Sequence, residues 1–121
     1  MADTARLLLY AVRFEETYVD DDWSRLTEFF TEDAYYSDSI GEAHGRQAVL
    51  NYMKNSLNTI DRTFDERELS PTGQLRAGED WVEFDFTATY RRHGSDDLHM
   101  KGVHRAEFRG ELISRISVRI D

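Results

Sequence analysis

The sequence predicts an α+β fold, with three helices gathered first and a three- or four-strand antiparallel meander after them. Two observations carry this expectation. Up to about residue 62 the apolar residues recur at helical spacing, and further on they alternate at period two. A third observation bounds it: 121 residues, 40% hydrophobic, with seven Phe, six Tyr and two Trp, supply one core and one domain, residues 1–121. That much aromatic and aliphatic material excludes disorder.

The first helix starts at Thr4, a suitable N-cap, and its apolar stripe reads Leu7, Leu8, Ala11, Phe14 and Tyr18. The run Asp20-Asp21-Asp22 stops it and places an acid before the second helix, which carries Trp23, Leu26, Phe29 and Phe30 inward. The three acids lack the spaced oxygen ligands and closing Glu of a calcium loop. Gly45 precedes a third helix with Val49, Tyr52 or Met53, and Leu57 as its stripe. The stretch from Phe64 to Arg76 reads as a strand interrupted near Pro71, where a ladder donor is lost. Val82, Phe84, Phe86, Ala88 and Tyr90 then alternate with polar residues. After a turn at His93-Gly94-Ser95, the face Leu98, Met100, Gly102, His104, Ala106 and Phe108 forms the next strand. A last strand buries Leu112, Ile116, Val118 and Ile120. A bent sheet covered by three helices is a cone, and its open end is a pocket for an apolar ligand.

Charge and composition narrow the function classes. Lys and Arg total 15 against 24 Asp and Glu, a net charge of −9, which repels nucleic-acid phosphates and anionic membrane surfaces. The apolar run Leu7–Val12 is too short to span a bilayer, and its flanks Asp3 and Arg6 are not those of a signal peptide, so a cytoplasmic protein is expected. With no cysteine there are no disulfides, thiolate zinc sites or cysteine nucleophiles. No His-x-His or Glu-x-x-His pair suggests a metal, and no G-x-S-x-G elbow suggests a serine hydrolase. No cofactor is expected.

Four segments resemble the NTF2-like superfamily, in its SnoaL-like and ketosteroid isomerase-like branch. Phe30-Thr31-Glu32-Asp33-Ala34 is similar to the F-x-x-D-A that ends the second helix and starts the first strand. Asp38-Ser39-Ile40-Gly41 is similar to the isomerase D-P-V-G. Gly45-Arg46-Gln47-Ala48-Val49 resembles the G-x-x-A-I that opens the third helix, and Phe108-Arg109-Gly110-Glu111-Leu112 the turn before the last strand. The resemblance implies an NTF2-like cone and places the isomerase's catalytic base on Asp38. It puts Phe14 where that enzyme has an oxyanion-hole Tyr, with Tyr18 one turn further along, and His104 where it has a protonated Asp.

The residues admit a plainer reading beside this one. Asp38 can simply cap a turn before Gly41, or, facing an apolar cone, serve as a desolvated base. His104 can be a hydrogen-bonded core residue, or a donor to a developing oxyanion with room left beside it by Gly102 and Ala106. Phe14, Tyr18, Trp23, Phe30, Tyr35, Met53, Phe84, Phe86 and Met100 are core residues that double as ligand-binding wall. His44 and His93 are expected on the surface, and His99 on the outer sheet face. The expected function is a cofactor-independent isomerase, cyclase or dehydratase acting on a small hydrophobic carbonyl compound. A non-catalytic ligand-binding protein and a dimerising module of the same shape are the alternatives. Epoxide hydrolysis is less favoured, because the nearest Arg-x-Asp match, Arg105-Ala106-Glu107, lies opposite His104. A homodimer is expected through the outer face, where Glu83, Asp85, Thr87 and Thr89 meet Lys101, Arg105 and Arg119.

Overall fold

A computed structural model describes residues 4–121; Asp3 and the segment before Thr4 that a cap would involve lie outside them. Helix α1 (Thr4–Asp20) leads into a short 3-10 helix (Trp23–Phe29). Strands β1 (Phe30–Ser37) and β2 (Glu42–His44) follow, then α2 (Arg46–Thr59) and one 3-10 turn (Asp61–Thr63). The chain ends with β3 (Glu66–Ala77), β4 (Trp81–Arg91), β5 (Leu98–Arg109) and β6 (Leu112–Ile120). The helices are therefore not all ahead of the strands: the β1–β2 hairpin stands between the second and third. The six strands form one open, curved sheet in the order β2-β1-β6-β5-β4-β3, antiparallel except for β1 beside β6.

The acid triplet does what its sequence suggests. Asp21 takes a left-handed φ of 59° that turns the chain out of α1, and the Asp22 carboxylate accepts from the Ser24 amide to cap the 3-10 helix. Helix α1 is phased differently from expectation. Leu7, Tyr10 and Thr17 are buried, whereas Leu8 and Ala11 face outward. The helix is apolar on two sides, so periodicity alone selects neither. Thr17 can be buried because its hydroxyl donates to the Arg13 carbonyl (2.9 Å), one turn back.

Three further expectations are corrected. Phe30 opens β1 rather than ending a helix, so the whole F-x-x-D-A segment is strand. Strand β3 runs through Pro71, which costs little on an edge strand. The irregularity comes between Thr72 and Arg76, around Gly73 at a φ of 71°. In β6, Ile113 is fully buried, because a register shift at Glu107/Phe108 breaks the two-residue alternation and brings Ile113 beside Phe108 and Phe30. On α2, where the stripe left Tyr52 and Met53 open, Met53 is the buried one.

The core lies between the helices and the concave face. Leu26, Phe29, Phe30, Val49, Ile113 and Ile116 are at most 1% exposed. The convex face is an ionic ladder. Arg76, Glu83, Arg105, Glu107 and Arg115 pair in succession across β3, β4, β5 and β6, and Arg105 also lies over the Trp81 ring at 4.4 Å.

Candidate functional site

Strand register assembles the site. On the concave face Tyr36, Ile116, Ala106 and Val82 lie side by side across β1, β6, β5 and β4. Two residues along, the next row is Val118, His104 and Phe84. Asp38 comes directly after β1 with the parity of Tyr36, and extending the β1–β6 register by one residue would set it opposite Val118. Asp38 and His104 are thus about two strand spacings apart, roughly 10 Å.

The Asp38 carboxylate, half-buried, gathers four donors. Oδ1 accepts from the Ile40 amide (2.9 Å), the Gly41 amide (3.0 Å) and the Tyr52 hydroxyl (2.9 Å), while Oδ2 accepts from the Tyr36 hydroxyl (3.1 Å). The turn-capping role is therefore present, but it occupies one oxygen only. Burial, with the Asp38 charge adding to it, raises both phenols, Tyr52 to about 12, so both remain hydroxyl donors at neutral pH. Neither Tyr stood among the expected site residues. Tyr36 shares the strand parity of Asp38, and that signal could have found it.

His104 stacks on Phe84, with ring centroids 4.9 Å apart and planes within 15°. Its Nδ1 is shielded from solvent and has no hydrogen-bond partner. His104 as a whole is partly exposed, but a shielded ring nitrogen left unanswered is costly to keep for packing alone. Burial lowers its pKa to about 4, so the ring is neutral at physiological pH. The folded state therefore binds fewer protons than the unfolded chain between the ordinary value near 6.5 and about 4. Stability should be intact above that window and should fall by about 2 kcal/mol between pH 7 and pH 4.5. Urea unfolding of the wild type and of His104→Phe at the two pH values checks this: the variant should lack that loss.

The expected wall residues divide by depth and face. Phe14, Tyr18, Phe84, Phe86 and Met100 are on the inward side and keep partial exposure, as do Val118 and Ile120. Trp23, Phe30 and Met53 are buried in the core. Tyr35 is a correction. It lies on the convex face, its hydroxyl donates to Glu42, and Arg115 covers its ring. The room expected beside His104 is also filled at Gly102, where the Phe86 ring and the Arg119 carbonyl occupy the space a Cβ would take. His44, His93 and His99 are exposed, His99 beside the Thr89 hydroxyl on the convex side. Arg105 and Glu107 pair with each other there at 3.5 Å, away from the cone.

Two depressions lie elsewhere on the surface. One is shallow, nearly flat, and runs along the outer side of α1, and one of ≈ 360 Å³ lies between the acid triplet and α2; neither is lined by Asp38 or His104. Among the described residues no group of three His, Cys, Asp or Glu could hold a metal, and no helix is long and apolar enough to cross a membrane.

Solved structures share this architecture. An NTF2-like protein of unknown function from Exiguobacterium superposes with a TM-score of 0.72 at 15% identity, covering 96% of this chain and 98% of that one. TerC, co-crystallized with polyporic acid, gives 0.70 at 13% identity, covering 96% and 92%. A SnoaL-like family protein from Agrobacterium tumefaciens gives 0.67 at 14% identity, covering 98% and 99%. No curated protein matches the sequence. At these identities the likeness is one of fold. Residues 11–116 match the SnoaL-like domain, and the chain belongs to that family, on the NTF2-like, ketosteroid isomerase-like fold.

Proposed function

We propose that the protein is a cofactor-independent acid–base enzyme that moves a proton next to the carbonyl group of a small, hydrophobic molecule held in the cone. One observation carries this reading. Among the described carboxylates that are not fully exposed, Glu16, Asp21, Asp61, Glu83, Asp85 and Glu107 each have a cation within 4 Å, and Asp38 has none. With no cation on it and a single donor on Oδ2, this carboxylate leaves an oxygen to which a ligand's proton can be offered.

The geometry suits a ligand that bridges the row. Oδ2, with a single donor, takes the proton from the carbon beside the carbonyl, and the bonding pair of that C–H becomes the C=C of an enolate. The neutral His104 ring, fixed by Phe84, donates an N–H to the oxygen on which the negative charge develops. Asp38 then returns the proton to another carbon, which is isomerisation, or gives it to a β-hydroxyl as the enolate re-forms the carbonyl and the C–O bond breaks, so that water leaves, which is dehydration. The half-buried Phe14, Phe86 and Met100 enclose the apolar body of the ligand. Co-crystallization of TerC with polyporic acid, on the same fold, supports a small organic ligand as the occupant. The plainer alternative is a binding protein without turnover, and the two turn amides on Asp38 Oδ1 favour it, because they give this residue a structural task.

Solvent exchange separates the two readings. Cyclic ketones incubated in deuterated buffer with the protein should gain deuterium at the carbon beside the carbonyl much faster than without it, as read by NMR. Ketones that bind and exchange no faster than in buffer would leave the binding-protein reading standing.

A further inference from the structure

A second polar cluster lies on the inward side of the sheet, far from Asp38 and His104. Arg67 on β3 pairs with Tyr90 on β4, which shares the parity of Phe84 and stands roughly 20 Å along the strand from it. Tyr18 joins from α1, with the Arg67 guanidinium over its ring at 4.2 Å, and Asp61 from the 3-10 turn after α2. The Arg67 side chain is only 3% exposed. One terminal nitrogen donates to Glu15 (3.1 Å), but the buried Nε has no hydrogen-bond partner. Asp61 Oδ2 lies 3.6 Å from that Nε, beyond hydrogen-bond reach. The Asp61 side chain is 19% exposed, and burial holds its carboxyl above the ordinary range in spite of Arg67. Tyr90, pushed up to about 12 by burial, remains a hydroxyl beside the same charges.

A buried donor and a desolvated acceptor that face each other across too wide a gap are costly to keep. One oxygen placed between them can stand about 2.8 Å from each. That oxygen has to accept from Nε–H and donate to Oδ2. It has to be neutral as well, because Glu15 and Asp61 already balance Arg62 and Arg67. A further anion would meet Asp61, and a further cation would meet Arg67. These are the requirements of a hydroxyl group. Beside the cluster, Leu69 and Leu98 lie on the same side of the sheet as Tyr90 and are 44% and 45% exposed, which offers an apolar surface next to the polar gap. We propose that Arg67 and Asp61 form a second binding site, which takes the hydroxyl of an apolar alcohol between them and its hydrocarbon chain along Leu69 and Leu98. The site is separate from the Asp38 row, and its test needs no turnover.

The test is NMR titration of the ¹⁵N-labelled full chain with 1-octanol. Octanol should shift the amides of Asp61, Arg67 and Tyr90 saturably. Octyl methyl ether, which accepts but cannot donate to Asp61, should bind there about tenfold more weakly. Octanoate, whose carboxylate would face Asp61, should bind no better than the ether. Asp61→Asn, checked for folding by circular dichroism, should weaken octanol about fivefold or more. Equal binding of alcohol and ether, or tighter binding of octanoate, would overturn the hydroxyl site. So would octanol shifts that leave the cluster untouched.

Discussion

Asp38→Asn is expected to lower turnover of a true substrate by about a hundredfold or more while leaving its binding nearly unchanged. The amide keeps the shape of the carboxylate, and its oxygen can still accept from the Ile40 and Gly41 amides that fix the turn. What it loses is the capacity to take a proton. Among the described residues, it also removes the one half-buried carboxylate that has no cation beside it. Steady-state kinetics with a ketone identified by the exchange assay measures the effect, and the split between kcat and KM is the informative part. A variant that loses affinity and stability together, with kcat preserved, would show Asp38 to be a turn cap only.

The second large effect is expected at Gly102. A Cβ there would stand 2.0 Å from the Arg119 carbonyl oxygen and 3.1 Å from the Phe86 ring. The first of these is backbone of the adjacent strand β6, paired through Gly102 and Ile120, so it cannot rotate away as a side chain could. Gly102→Ala must therefore part β5 from β6 at the row next to His104. A loss of about 3 kcal/mol is expected, with a thermal midpoint lower by on the order of 10 °C. Denaturant and thermal unfolding read this directly. A change below about 1 kcal/mol would mean that the strands yield more easily than their packing indicates.

Much of this arrangement was legible in the residues, and the places where it was not have physical causes. The alternation from Val82 to Tyr90 and from Leu98 to Phe108 placed His104 and Phe84 inward, because both strands keep regular pairing over those residues. The same parity rule mis-assigned the start of β6, since the register shift at Glu107/Phe108 buries Ile113 out of phase. Just past β1, the resemblance singled out Asp38. The choice of Tyr35 over Tyr36 as wall residue ignored that Tyr36 shares its parity. Tyr52 was hidden for another reason. Its contact with Asp38 joins residues 14 apart through the fold, and an amphipathic stripe on α2 does not reveal it. Helix α1 misled because Leu8 and Val12 supply a second apolar side that the fold does not cover. Gly102 was read as space beside an imidazole, whereas its small size answers to the approach of the Arg119 carbonyl and the Phe86 ring.

The most direct test of the central claim is a crystal structure of the protein soaked with a panel of cyclic ketones and phenols. The account predicts a ligand inside the cone, its oxygen within hydrogen-bond distance of a His104 ring nitrogen and its ring carbons reaching toward Asp38 Oδ2 across Val118. Tyr36 and Tyr52 should keep their bonds to Asp38. Ligands found only in the groove along α1 or beside the acid triplet, with the cone closed by its own aromatic side chains, would contradict it.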